Sequence, residues 1–158
     1  MDVATRRVSL TMLLAAALLA GCAGRPARPA QPAADAAPWI APMQAVQLAA
    51  AASGRDVSGV FALTVQATGE DRGRLFLNSE RDYRDPRNLS IAVDPQAEAG
   101  LAQRFGTPLQ ATLRGKRLLV SGAARRVRID FTVGGKPSGK YYYQTHVRVT
   151  DPDQIRAL

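Results

Sequence analysis

Five prolines fall between Pro26 and Pro42, spaced among alanines. Each removes a backbone donor and fixes φ, so residues 23–42 cannot build a regular helix or a central strand. The stretch reads as an extended, semi-rigid tether, rising about 3.1 Å per residue. A hydrophobic core must therefore come from residues 43–158, a length that suits one compact domain. The chain has one Cys and one His. That excludes an internal disulfide, a Cys-rich zinc site and any mechanism that needs two imidazoles.

Ahead of the tether, a short head with Arg6 and Arg7 leads into an apolar run from Val8 to Leu19, then Ala20-Gly21-Cys22. A basic head, a short apolar run and a small-residue site make a secretory signal. The run is too short to cross a bilayer as a helix, which takes about 20 residues. Leu19-Ala20-Gly21-Cys22 resembles the bacterial lipobox at every position. The resemblance implies cleavage before Cys22 and a diacylglycerol on its thiol. The expected organisation is a lipoprotein signal peptide at 1–21, a lipid anchor and tether at 22–42, and a folded domain at 43–158. Ala23, where enterobacterial lipoproteins carry Asp for inner-membrane retention, implies the outer membrane. The domain would then face the periplasm, with the cell surface as the alternative.

Within the domain, Pro42 to Ser53 is Ala-rich and precedes Gly54, the pattern of a short helix. From Val57 the period becomes two: Val57, Gly59, Phe61, Leu63 and Val65 share one face of a first strand. A turn is expected at Gly69-Glu70-Asp71, then a second strand, Arg72 to Asn78, with Leu75 and Leu77 on one face and Arg74, Phe76 and Asn78 on the other; the core face is either the leucines or Phe76. Ser79 to Asn88 is a charged loop whose acids and arginines pair internally. Leu89, Ile91 and Val93 mark a third strand, and Pro95 to Phe105 a helix. Lys116 to Phe131 is a long strand, broken or bulged at Gly122. Gly134 to Gly139 is a turn, and a last strand carries Tyr141 and Tyr143 toward the core. Three strands, a helix and two strands form the layout of the OB fold. The expected class is mainly β: a five-stranded OB-fold-like barrel with a helix between strands 3 and 4, plus a short N-terminal helix.

Gly73-Arg-Leu-Phe-Leu-Asn78, Asn88-Leu-Ser-Ile-Ala-Val93, Gly115-Lys-Arg-Leu-Leu-Val-Ser-Gly122 and Asp151-Pro-Asp-Gln-Ile155 occur in that order. With Pro42-Met-Gln-Ala45 upstream, the set resembles small bacterial OB-fold modules over about residues 40–158. Ser79 stands where those modules carry an aromatic, and the first strand lacks their Gly-Lys lead-in. The resemblance implies a non-catalytic binding module.

The formal net charge is +8. Residues 100–148 hold ten Lys/Arg against the single acid Asp130, whereas residues 43–99 hold six against eight. Such asymmetry suits an anionic partner. Arg125, Arg126 and Arg128 lie on one strand, and Lys140, Tyr142, His146 and Arg148 alternate on another. Together with Arg74, Phe76 and Asn78 they form a candidate binding stripe. Basic grooves with stacking aromatics are how OB folds hold single-stranded nucleic acid. No Gly-x-Ser-x-Gly occurs, and a Ser–His site would rest on His146 alone. Gly134-Gly-Lys-Pro-Ser138 lacks the first Gly of a phosphate-binding loop and reads as a hairpin turn. The expectation is a non-enzyme without cofactor or metal, serving as an adaptor for a protein or cell-envelope polymer. Its contact surfaces would be the Ser79–Asn88 loop and the basic face. The alternatives are a binder of single-stranded nucleic acid or another polyanion, and a barrel for a small molecule or lipid.

Overall fold

The computed structural model describes residues 39–158. The expected signal segment, Cys22 and the expected tether up to Pro38 lie outside the described residues. The fold is mainly β sheet with short helices. Helix α1 (Pro42–Ala51) opens on its proline and turns Ala45 and Ala49 inward. Strands β1 (Val57–Thr64), β2 (Ala67–Asp71), β3 (Arg74–Asn78) and β4 (Leu89–Val93) follow. Helices α2 (Pro95–Phe105) and α3 (Leu109–Leu113) precede the long strands β5 (Arg117–Val133) and β6 (Lys136–Val149). A 3-10 turn, Pro152–Gln154, leads into β7 (Ile155–Ala157).

The sheet runs β1-β5-β6-β4-β3-β2, with β7 also on β5. All pairings are antiparallel except β4 with β6. The two ends of this path, β1 and β2, are consecutive in the chain, separated by Val65 and Gln66. Val65 N–H donates to Lys116 O (3.0 Å) on one side, and Gln66 N–H donates to Asn78 O (2.8 Å) on the other. Beyond β6, the chain returns to the same strand: Ala124 pairs Val147, then Val120 pairs Ile155. Gln154 stitches the gap, its amide donating to Ser121 O (2.9 Å) and Arg148 O (3.2 Å).

The expected alternations locate the core. Phe61, Leu63 and Val65 from β1 and its exit meet Leu75 and Leu77 of β3 inside. Leu89, Ile91 and Val93 of β4, Leu118 and Val120 of β5, and Val147 and Val149 of β6 complete it. Ala97 and Leu101 of α2 and Leu109 and Leu113 of α3 pack against the same cluster. Ile40 pairs with Phe61 in a parallel bridge, so the chain is already fixed to the sheet just before α1.

Four expectations need correction. Gly69-Glu70-Asp71 is not a turn but the end of β2. The reversal is Arg72-Gly73, with φ of 51° and 72°, between the paired residues Asp71 and Arg74. Positive φ at both central positions matches the twist of the flanking strands. Gly122 does not break β5; it pairs Gly59 in unbroken register, and the irregularity lies between Asp130 and Thr132. Glycine is required there because a Cβ would stand 2.9 Å from Val147 Cγ1. The hairpin turn is Gly134-Gly135 alone, with Lys136 to Gly139 already in β6. Finally, the sheet has seven strands rather than five, because β2 and β7 were not anticipated, and α3 is a further helix.

Candidate functional site

Strands β5 and β6 are long enough to leave the body of the sheet. β1 stops pairing with β5 at Ala124, and β4 stops pairing with β6 at Thr145. Residues 125–133 and 136–144 therefore project as a two-stranded arm, turned by Gly134 and Gly135. The alternation that buries Ala124, Thr145 and Val147 continues into this arm, where the face becomes exposed. Arg126, Arg128 and Asp130 share that face with Tyr141 and Tyr143.

The tyrosines were expected in the core. They are instead 49% and 42% exposed. The Arg126 guanidinium carbon lies 3.7 Å from the centre of the Tyr143 ring, and that of Arg128 lies 4.1 Å from the Tyr141 ring. The two rings meet edge to face, with centroids 5.6 Å apart. Each cation over a ring contributes about 0.5–1 kcal/mol at an exposed site. At the base of the arm, Val46 and Ala50 of α1, Arg84 and Pro86 of the Ser79–Asn88 loop, and Arg126, Tyr142, Tyr143 and Thr145 line a groove partly open to solvent.

The opposite face of the sheet carries most of the other candidates. Phe76, Ala92 and Arg148 form one rung across β3, β4 and β6. Asn78, Ser90, His146 and Arg125 form the next, reaching β5. Phe76 is thus an outward residue, its ring centroid 5.7 Å from that of His146. Further along the arm, Phe131 and Tyr142 approach to 5.2 Å. Lys140 stands exposed near the tip.

The expected single stripe is therefore split. Arg126 and Arg128 belong to the tyrosine face, while Arg125, Tyr142, His146 and Arg148 belong to the other, because paired residues of a ladder share a face. Asn78 is engaged inside the protein. It is buried, and its Oδ1 accepts from Ser90 Oγ (2.8 Å) and Asn88 Nδ2 (3.2 Å).

Many of the cations are also matched by neighbouring acids. Asp94, 4% exposed, accepts from Arg74 Nε (2.8 Å) and Arg148 Nε (2.8 Å). The Arg148 hydrogen bond, with Arg74 adding its charge, holds the Asp94 carboxyl below the usual carboxylate range. Arg125 is bound by Asp56 (2.9 Å from Nη2) and Arg128 by Asp130 (2.7 Å). Arg126 makes no ion pair with an acid among the described residues. Sequence reasoning missed Asp94, which precedes Pro95 in the position of a helix cap. Its side chain makes no cap bond and serves the two arginines instead.

His146 is half-buried, and desolvation, with the positive charge of Arg74, pushes its pKa down to about 4. Its Nε2 lies 2.6 Å from Gln144 Oε1. Gln144 Nε2 donates to Tyr142 Oη (2.9 Å) and to the carbonyl of Tyr83 (3.3 Å). That fixes the amide orientation, so the neutral imidazole carries its proton on Nε2 and donates it. The Ser79–Asn88 loop is thereby tied to β6, and its own charges pair as expected, Arg84 with Asp82 and Arg87 with Asp85. Among the described residues, no group of His, Cys, Asp and Glu side chains is placed to hold a metal ion.

No protein-family model matches the chain, and no curated protein matches it. Among solved structures it is similar to the aspartyl tRNA synthetase from Entamoeba histolytica, at 12% identity and a TM-score of 0.41. The match covers 84% of this chain and 24% of that one, so the chain spans about a quarter of that protein's length.

Proposed function

We propose that the chain is a lipid-anchored outer-membrane lipoprotein whose periplasmic domain is a non-catalytic binding module for a protein or cell-envelope partner. The lipobox-like Leu19 to Cys22 supports the anchor, and the proline-rich tether supplies reach. An OB-like closed sheet is part of this reading. The passage from β1 to β2 through two residues, bonded to opposite ends of the strand path, supports the closure. Closure suits a small β domain because it removes exposed edges.

One observation favours a protein or envelope partner over a polyanion. Arg74, Arg148, Arg125 and Arg128 are already engaged by Asp94, Asp56 and Asp130, whereas the arm leaves Tyr141, Tyr143, Phe131 and Val133 open. Exposed aromatics beside arginine are the composition of a protein interface core. A second reading, single-stranded nucleic acid, is favoured by Phe76, an outward aromatic on β3 flanked by Arg74 and Arg148.

The experiment is photo-crosslinking in cells from a benzoyl-phenylalanine placed at Phe131 or Tyr143. A discrete protein or envelope adduct at both positions is expected, with Glu98 on α2 as the silent control. Salt-sensitive binding of single-stranded DNA by the full chain, lost in Phe76→Ala and accompanied by no adduct, would replace the primary reading with the second.

A further inference from the structure

The arm has two long strand edges, and they are treated differently. The β6 edge carries Lys136, Pro137, Gly139 and Lys140. Proline, glycine and lysine are the residues that blunt an edge against pairing. The Ser79–Asn88 loop also reaches this strand, through the Gln144 bond to Tyr83 O. The β5 edge, Arg126 to Val133, has no proline and no glycine, and among the described residues no loop is bonded across it. It consists largely of β-branched and aromatic residues interleaved with charge. Alternate residues of this stretch turn their N–H and C=O away from β6. On that side β1 begins only at Val57, opposite Ala124.

We infer that the β5 edge from Arg126 to Val133 is a strand-addition site for an extended partner segment in which acidic and apolar residues alternate. A strand laid along an open edge gains main-chain hydrogen bonds, and its alternate side chains meet the two faces of the sheet. On one face the neighbours would be Arg126 and Arg128, backed by Tyr143 and Tyr141. Arg126, with no acid partner among the described residues, calls for Asp or Glu, while Arg128 gives Nε and Nη2 to Asp130 and offers an incoming carboxylate only its remaining N–H groups. On the other face the neighbours would be Val127, Ile129 and Phe131, which call for apolar side chains. Asp130 sits in line with the arginines and disfavours a third acid. Charge selects a partner strand over a second copy of this chain. The arm carries Arg125, Arg126, Arg128, Lys136 and Lys140 against Asp130 alone, so two arms would repel. The inference rests on the protein-partner reading and names its recognition chemistry.

The test uses the full chain in detergent and synthetic peptides alternating Val and Glu. The expected result is binding at least about tenfold tighter than to a scrambled peptide of equal composition. Slowed amide exchange should appear in residues 126–133, and binding should be lost when alternate peptide amides are N-methylated. Arg126→Glu with Arg128→Glu should weaken binding about tenfold or more and favour the Lys-substituted peptide. Equal binding of the scrambled peptide, or protection at the β6 edge or around Phe76, overturns the inference. So does concentration-dependent self-association of the peptide-free chain that protects residues 126–133, since a second copy would then own the edge. Arm crosslinks to a protein in cells, without pattern-dependent peptide binding, would sink strand addition and leave the proposed function standing. Failure of the crosslinks would remove both.

Discussion

Asn88 donates its side-chain amide to the Oδ1 of Asn78 across the base of the β3–β4 loop, at 3.2 Å, with both residues buried. The same amide reaches Ser90 Oγ (2.9 Å) and Tyr83 O (3.2 Å), while Asn88 Oδ1 accepts from Glu80 N–H (3.0 Å). One side chain thus satisfies groups from β3, β4 and the loop. Asn88→Leu would strand these partners, and each unsatisfied buried group costs about 1–3 kcal/mol. The expected outcome is a lowered urea midpoint and faster amide exchange at Glu80. An unchanged midpoint would mean that water substitutes freely for the amide.

The Asp94 carboxylate gives the domain an acid-sensitive clasp. Its folded pKa is depressed by Arg148 and Arg74, so its stabilisation is present above the unfolded value near 3.9 and is lost as pH falls through the folded one. Asp94→Asn should cost about 1–2 kcal/mol at neutral pH, at the lower end for charged hydrogen bonds because both arginines are partly solvated. The difference from the parent should shrink below about pH 3.9. Denaturant titrations at neutral pH and at pH 3 would check this, and a gap that persists in acid would contradict it.

His146 acts over a different window. Its folded pKa, about 4, lies below the unfolded 6.5, so the unfolded chain takes up the proton first as pH falls. Stability should decline from pH 6.5 to about 4 and then level for this group. His146→Gln should flatten that slope. An imidazole titration by NMR with a midpoint near 6.5 would show that the ring is hydrated rather than enclosed by Phe76 and Gln144.

Gly122 has no room for a methyl group. Its added Cβ would sit 2.9 Å from a methyl of Val147, whose branched side chain is fully buried. Gly122→Ala should therefore cost about 1–3 kcal/mol, the usual penalty of overpacking. Combining it with Val147→Ala should recover part of the loss, and a double variant no better than the sum of its parts would refute the steric account.

These features differ in how far the sequence discloses them. Helix α2 runs over Pro95–Phe105 as expected, because proline and glycine mark its ends. The alternations through Phe61, Leu63 and Ile91 pointed inward correctly, whereas on the second strand either Phe76 or the Leu75/Leu77 face could have been core, and only the pairing with β4 decides for the leucines. The same reasoning failed at Tyr141 and Tyr143. Period assigns a face, but it does not say where along a strand the core ends. The basic stripe failed for a related reason. Arg125 and Arg126 are adjacent in sequence and so lie on opposite faces. The acids that hold Arg125 and Arg148, Asp56 and Asp94, become visible only once β1 is set against β5 and β4 against β6. The turn at Arg72-Gly73 was displaced because Gly69 drew the reversal toward itself, although the Gly in the left-handed conformation stands at 73.

The strand order also governs time. Val57 finds its partner at Ala124, and Thr64 at Arg117, so apart from the bridge to Ile40 the first strand must wait for the fifth before it can be paired. Such long separations are closed late and slowly, because the entropy of the intervening loop is spent before any contact repays it. The β2–β3–β4 meander, by contrast, pairs only near neighbours and can close as soon as it is made, so the two edges of the same sheet are set at different times.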